Sequence, residues 1–256
     1  ATTGIYTLSL HDALPISLQV TDMLYEGKAK KLFITEDPSM LLVEYKDSLT
    51  AFNARKKSSL TGKGSLTNRI SAELLEFVGT QGVPTHFVRL LDDTCQLVRR
   101  VKIIPLELVV RNITAGSICR RLGVEEGMEL KDPLVEFYLK NDDLGDPLVT
   151  EDHILSFRWA TPSDIYAMKK LALQVNRILK EFFAGLEIIL VDLKLEFGRT
   201  PEGNIILADE ISPDTCRLWD ASTGEPLDKD RFRNDLGNVL GSYREIWRRI
   251  TGREKK

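Results

Sequence analysis

Between residues 188 and 212 the chain reads IILVDLKLEFGRTPEGNIILADEIS, and its charged residues fall at spacings suited to chemistry on anions. Read with a period of two, Asp192, Lys194 and Glu196 share one face of a strand, while Ile189, Val191, Leu193, Leu195 and Phe197 share the other. Successive charges on that face stand about 7 Å apart, from a rise of about 3.3 Å per residue. The turn at 199–204 returns the chain as 205–210, and a register whose partners sum to an odd number sets Asp209 beside Glu196. Two facing carboxylates repel unless a cation lies between them, and oxygen-only ligands suit Mg²⁺ shared with substrate phosphates. The plainer alternative is a solvated strand face whose charges pair sideways. An acid closing the apolar run IILAD weighs against it, because burying a carboxylate without a partner costs several kcal/mol.

Other segments are also suited to anionic groups. Arg111 ends an apolar strand and is followed by Asn112-Ile113-Thr114-Ala115-Gly116-Ser117. A guanidinium beside a Gly-Ser helix start can hold a phosphate, or the serine can be a plain cap beside a surface arginine. Arg217 sits in a stretch expected to be a loop after the acidic strand, within Ser212-Pro213-Asp214-Thr215-Cys216-Arg217-Leu218-Trp219-Asp220. Gly27-Lys28-Ala29-Lys30 places two lysines on one strand face beside a flexible glycine, able to cover phosphates or simply to be solvated. Gly62-Lys63-Gly64 has the same ambiguity, and neither segment is a Walker A loop. Lys140-Asn141-Asp142 closes a strand-like Phe137-Tyr138-Leu139 and could reach a ribose or a metal.

These residues must be positioned by an ordinary globular chain. Its 256 residues are 43% hydrophobic and 29% charged, with a net charge of −3. That balance argues against bulk binding to nucleic acid or a membrane surface, and no apolar run approaches the roughly 20 residues of a spanning helix. Cys95, Cys119 and Cys216 lie far apart and read as reduced thiols. His11, His86 and His153 are equally scattered, which leaves carboxylates, lysines and arginines to do the chemistry.

β-type runs are expected over Leu24–Phe33 and Leu41–Tyr45, divided by the turn residues Thr35-Glu36-Asp37-Pro38, with a helix around Asn68–Val78. Strands follow at His86–Leu91, Gln96–Val101 and Leu106–Arg111, then a short helix Ser117–Leu122 stopped by Gly123. Thr161-Pro162-Ser163-Asp164 opens a long helix with a capping threonine, a first-turn proline and an acid three residues on. The 188–212 hairpin comes next, and a closing amphipathic helix through Phe232, Leu236, Leu240, Tyr243 and Trp247 ends the pattern. Strands and helices mix without regular βαβ alternation, which makes the fold class α+β. Residues 1–17 fit neither a helical nor a strand period and are no secretory signal. Their YTLSLHDALPIS resembles translated sequencing-adapter read-through, so the working start is expected near Met23.

Taken together, YEGKAK at 25–30, VVRN at 109–112 with AGS at 115–117, LKND at 139–142, DLKLEFG at 192–198 and DEISPD at 209–214 with RLWD at 217–220 closely resemble the SAICAR synthetases. These are the phosphoribosylaminoimidazole-succinocarboxamide synthases. The segments keep that family's order and spacing from about residue 24 to about 249, and residues 1–22 match nothing in it. The resemblance implies a fold related to ATP-grasp and kinase-like enzymes, with ATP in a cleft between a smaller N-terminal region (23–103) and a larger C-terminal one (104–256). It implies ATP-dependent ligation of L-aspartate to carboxyaminoimidazole ribonucleotide, giving SAICAR, ADP and phosphate, in a cytoplasmic homodimer. By motif match, Gly27, Lys28, Lys30 and Lys140 would face ATP, and the backbone near Val101–Ile103 would meet its adenine. Glu196 and Asp209 would ligate Mg²⁺. Arg111, Ser117 and Arg217 would hold the ribonucleotide, and Asp192 and Lys194 would sit at the reacting carboxylate. A small-molecule kinase or a nucleotide sensor could share parts of this set, and dependence of ADP release on aspartate separates them.

Overall fold

The computed structural model describes residues 4–6, 18–51 and 56–252. In the N-terminal region, β1 (Gly4–Tyr6), β2 (Leu18–Glu26), β3 (Lys30–Thr35) and β4 (Met40–Tyr45) are successive antiparallel neighbours. The run expected over Leu24–Phe33 is therefore two strands. Gly27 makes the break, donating its N–H to the Lys30 carbonyl at 2.8 Å and closing a turn. Lys28 consequently lies in that turn and Lys30 opens β3, so the two do not share a strand face. The stretch 7–17 lies outside the described residues, while 4–6 pair through their backbone with 18–20.

β5 (Ser48–Ala51) and β6 (Lys56–Ser59) form a small separate sheet, and α1 (Lys63–Thr80) follows. This helix starts at Lys63 rather than near Asn68 because its cap comes from elsewhere in the chain. Asp47 accepts from the Gly62 and Gly64 N–H groups at 3.1 and 2.8 Å, satisfying donors that a helix start leaves open. β7 (Phe87–Leu90) and β8 (Cys95–Arg99) complete a six-stranded sheet of order β1-β2-β3-β4-β8-β7. Leu41, Val43, Tyr45 and Val98 cluster together, and Val20, Leu42, Cys95 and Leu97 form a second cluster.

The C-terminal region begins with β9 (Lys102–Ile113) and α2 (Ser117–Leu122), the latter ended by Gly123 at φ 67° as expected. β10 (Glu129–Leu139) leads through a 3-10 turn at Asp142–Leu144 to β11 (Leu148–Val149) and α3 (Glu151–Ser156). α4 (Pro162–Ala184) carries the expected capping box, with Thr161 and Asp164 each accepting from the other's backbone N–H. β12 (Ile188–Arg199), β13 (Ile205–Ala208) and β14 (Cys216–Asp220) follow, then α5 (Asp230–Arg233) and α6 (Val239–Thr251). The expected single closing helix is thus two, separated by Gly237 and Asn238 at φ 68° and 50°.

The second sheet runs β11-β10-β9-β12-β13, with β14 also paired to β12. α4 packs on it, burying Met168, Ala172, Val175, Leu179 and Phe183 against Leu193, Leu195 and Phe197 in the main core. Each such large apolar side chain contributes about 1.5–3 kcal/mol relative to leaving it exposed. The expected apolar face of β12 holds only from Leu193 onward. A bulge between Leu190 and Asp192 changes its phase, so Ile188 and Leu190 join the main core while Val191 packs with Ile113 and Ala115. The 22/23 and 103/104 boundaries fall inside β2 and β9 respectively. Among the described residues no helix is long and apolar enough to cross a membrane.

Candidate active site

A cleft of about 700 Å³ opens between the two sheets and is lined by the residues that the family motifs assign to the site, while Lys63 of the Gly62-Lys63-Gly64 segment stays outside it. Gly27, Lys28 and Lys30 come from the β2–β3 turn, and Val101 and Ile103 from the crossing into β9. Arg111 and Ser117 flank the end of β9, Lys140 follows β10, and Asp192, Lys194 and Glu196 project from β12. Asp209 follows β13, and Arg217 lies on β14. The loop expected around Arg217 is a strand from Cys216, because β12 pairs with β14 along its first half and with β13 along its second. Nor is the charged face of β12 solvated: Asp192 and Glu196 are buried.

At one end of β12, lysines and carboxylates alternate. Glu196 Oε1 accepts from Lys140 Nζ at 2.7 Å and from Lys194 Nζ at 3.1 Å. Lys194 also donates to Glu107 Oε1 at 2.6 Å, and Glu107 is the cross-strand partner of Glu196. Burial acts to lower the Lys194 pKa, but Glu196 and Glu107 outweigh it and hold the ammonium charged.

Asp209 reaches this cluster by a route the hairpin period does not contain. Glu196 opposes Ala208 and Arg199 opposes Ile205, so the partners sum to an even number and the odd register is not the one adopted. β13 instead ends at Ala208, and Asp209 takes a left-handed backbone at φ 65°, a conformation aspartate tolerates better than most residues. Its Oδ1 accepts from Lys30, which also stands 3.4 Å from Glu210 Oε2. Burial pushes the Asp209 carboxyl up, yet Lys30, Lys194 and Lys140 together hold it well below the usual range. Burial pushes Glu210 and Glu107 upward instead, against the pull of Lys30 and Lys194 respectively.

Among the described residues no three His, Cys, Asp or Glu side chains group as a metal cage. The donors around Lys194 are carboxylates without imidazole or thiolate. Such a set fits a hard cation that keeps waters and substrate phosphates as its remaining ligands.

At the other end of β12 the charges reverse. Asp192 Oδ2 accepts from Arg111 Nη1 at 2.6 Å and from Arg217 Nη1 at 2.7 Å. Arg111 continues to Glu136 at 2.7 Å, Ser117 Oγ at 3.2 Å and the Tyr138 hydroxyl at 3.3 Å. Arg217 Nε donates to Asp230 at 2.7 Å, and Arg233 also pairs with Asp230. Glu107, Glu136, Tyr138 and Asp230 were not picked out from the sequence. Glu107 and Glu136 alternate with apolar residues on β9 and β10, and that alternation is the signal that could have found them.

A third charged group borders the cleft. Asp214, on the β13–β14 connection, pairs with Lys63 of α1 and accepts from the Tyr243 hydroxyl of α6 at 2.6 Å. Lys229 lies near it, its ammonium pulled below the usual value by burial. Lys63 therefore serves an internal ion pair and does not line the cleft. Opposite, Leu24, Leu32, Leu41, Val101 and Ile103 form an apolar slot. Val101 lies against Gly198, where an added Cβ would come within 2.3 Å of Val101 Cγ2.

The family model described as SAICAR synthetase matches residues 23–250. The phosphoribosylaminoimidazole-succinocarboxamide synthase of Coprothermobacter proteolyticus is 55% identical over 233 residues, covering 91% of this chain and 99% of its own. The synthase of that name from Ehrlichia chaffeensis superposes with a TM-score of 0.88 at 46% identity, over 91% of this chain and all of its own. A SAICAR synthetase solved in complex with ADP superposes at 0.87 and 46% identity, over 91% and 99%. This α+β chain belongs to the SAICAR synthetase family and is an ATP-dependent ligase.

Proposed function

We propose that the chain joins L-aspartate to the carboxylate of carboxyaminoimidazole ribonucleotide, consuming ATP and passing through an acyl phosphate. One observation carries this reading. A single strand, β12, presents an arginine-held station at Asp192 and a lysine–carboxylate station at Glu196, about 13 Å apart at strand rise, with Lys194 between them. A phosphate-bearing substrate at Arg111, Ser117 and Arg217 and a polyphosphate at Lys30 and Lys140 would then meet over Lys194.

The chemistry follows from what each group can hold. A carboxylate is a poor electrophile, so its oxygen first takes the γ-phosphoryl group and ADP leaves. The aspartate amine then attacks the acyl carbon, the C–O bond to phosphate breaks, and the amine proton is lost to give the amide. Positioning and charge neutralisation supply most of the catalysis in such transfers. Lys194 stabilises the oxygen charge that grows at the acyl carbon. Asp192 orients both guanidiniums, and Lys28 and Lys30 contact phosphate oxygens. Val101 and Ile103 bound the base slot, with Gly27 allowing the turn to approach. Glu196 and Asp209 would hold Mg²⁺, which supplies neutralisation of phosphate oxygens when bound.

Omitting ATP, the ribonucleotide and aspartate in turn, with product followed by mass, tests the reaction. Product formed without aspartate overturns the ligase reading of this site. Oxygen-18 in the substrate carboxylate tests the intermediate: label must appear in the released phosphate, and its absence there rules out an acyl phosphate. Lys194→Ala is expected to lose about 100-fold or more in kcat at saturating substrates, the scale of one lost charge-stabilising donor.

A further inference from the structure

A second, smaller cavity of about 90 Å³ lies behind the apolar slot. It shares Lys30, Leu32, Leu41, Val101, Ile103 and Asp209 with the main cleft and therefore adjoins its base end. Its walls also include Val43, Val98 and the exposed Arg99, while the buried His86, Gln96 and Tyr45 give it polar groups. His86 and Gln96 are 6% and 1% exposed, yet His86 Nδ1 and Gln96 Oε1 have no hydrogen-bond partner. Gln96 is fixed by its other atom, Nε2 donating to the Tyr45 hydroxyl at 2.9 Å. Native interiors rarely leave two such atoms unpaired, and an unmet buried acceptor is costly. Burial lowers the His86 pKa to about 4, so the ring is neutral at pH 7 and offers one donor and one acceptor nitrogen.

We infer that this cavity is a binding subsite at the back of the nucleotide slot, which takes a short neutral arm bearing a hydroxyl or amide, carried on the base edge of an adenine nucleotide. The inference rests on the nucleotide reading of the main cleft. A charged arm is disfavoured, because Arg99 on its rim is exposed to water and an ionic arm would lose its hydration among walls that are otherwise apolar or neutral. A purely apolar arm fills the walls but leaves His86 and Gln96 unpaired. A cavity of about 90 Å³ suits a short arm beyond the ring rather than a second ring.

The test is a titration of the full chain with ATP, N6-(2-hydroxyethyl)-ATP and N6-propyl-ATP, the last two nearly equal in size. The hydroxyethyl analogue is expected to bind within about 3-fold of ATP and about 10-fold tighter than the propyl one, the worth of one good buried hydrogen bond. That comparison needs no variant. Gln96→Leu should then erase the preference between the analogues while changing ATP affinity less than about 3-fold. Equal binding of the two analogues, exclusion of both while ATP binds, or a preference that survives Gln96→Leu overturns the subsite. If ATP itself fails to bind, the nucleotide reading falls and takes this inference with it.

Discussion

Asp192 and Arg111 are cross-strand partners on β12 and β9, and their side chains meet at 2.6 Å with both groups buried. The same carboxylate oxygen holds Arg217 at 2.7 Å, so one acid fixes two guanidiniums. Asp192→Asn keeps the volume but removes the charge between them. Breaking a buried ion pair from one side costs about 3–5 kcal/mol. A stability loss of about 3 kcal/mol in urea denaturation is expected, together with a raised KM for the ribonucleotide and little change in KM for ATP. An unchanged ribonucleotide KM would refute the orienting role.

Lys30 is the main cation holding Asp209 ionised. Burial raises the Asp209 pKa, and Lys30 leads the cations that bring it below the ordinary carboxylate range. A carboxylate depressed in the folded state contributes stability above its unfolded pKa, near 3.9, and loses it as pH falls through the folded value. Lys30→Met should therefore move the acid limb of both stability and activity to higher pH. Melting curves and rates between pH 4 and 8 read the shift. An acid limb that stays in place contradicts the pairing.

Gly198 sits opposite Ile103 in the β12–β9 pairing, and its missing Cβ makes room for Val101. Gly198→Ala would force the 100–103 segment to move, since 2.3 Å is far inside contact distance. The expected result is a several-fold higher KM for ATP with kcat within about 3-fold, because on the proposed reading the displaced groups bound the base slot and not the reacting atoms. Equal loss in kcat and kcat/KM would argue that the shift propagates to Lys194.

Lys28 Nζ stands 2.7 Å from Asp142 Oδ1, joining the β2–β3 turn to the 3-10 turn across the cleft. Both side chains are exposed, and such pairs are worth about 1 kcal/mol or less. Asp142→Asn should leave thermal stability unchanged and lower the KM for ATP, since Lys28 no longer exchanges one anion for another. A raised KM would instead make Asp142 a ligand contact.

The alternation of β12 is legible from Leu193 to Phe197, and so is the capped start of α4, because both are local patterns. What escapes the sequence is set at a distance. The bulge that flips Ile188–Val191 depends on pairing with β14, and the cap of α1 is an aspartate from before β5. The sequence brings Asp209 to Glu196 through an odd hairpin register, whereas its actual placement depends on a positive φ that no periodicity encodes. Most of β10 went unread because Lys131, Asp132 and Pro133 interrupt it, and the ladder with β9 shifts register across that stretch. In the sequence Lys63 is equally a phosphate lysine or a solvated one, and only the tertiary contact with Asp214 shows its internal partner.

Most lysines and carboxylates along the cleft are already paired: Lys30 with Asp209, Lys140 and Lys194 with Glu196, Lys194 with Glu107. An arriving polyphosphate does not meet bare positive charge. It must exchange partners, and each lysine it captures strands an acid in a poorly solvated place. Only a ligand that brings its own cation repairs both halves of every broken pair. On the proposed reading, a cleft paired in this way would act as an exchanger that favours a metal–anion salt over a simple anion.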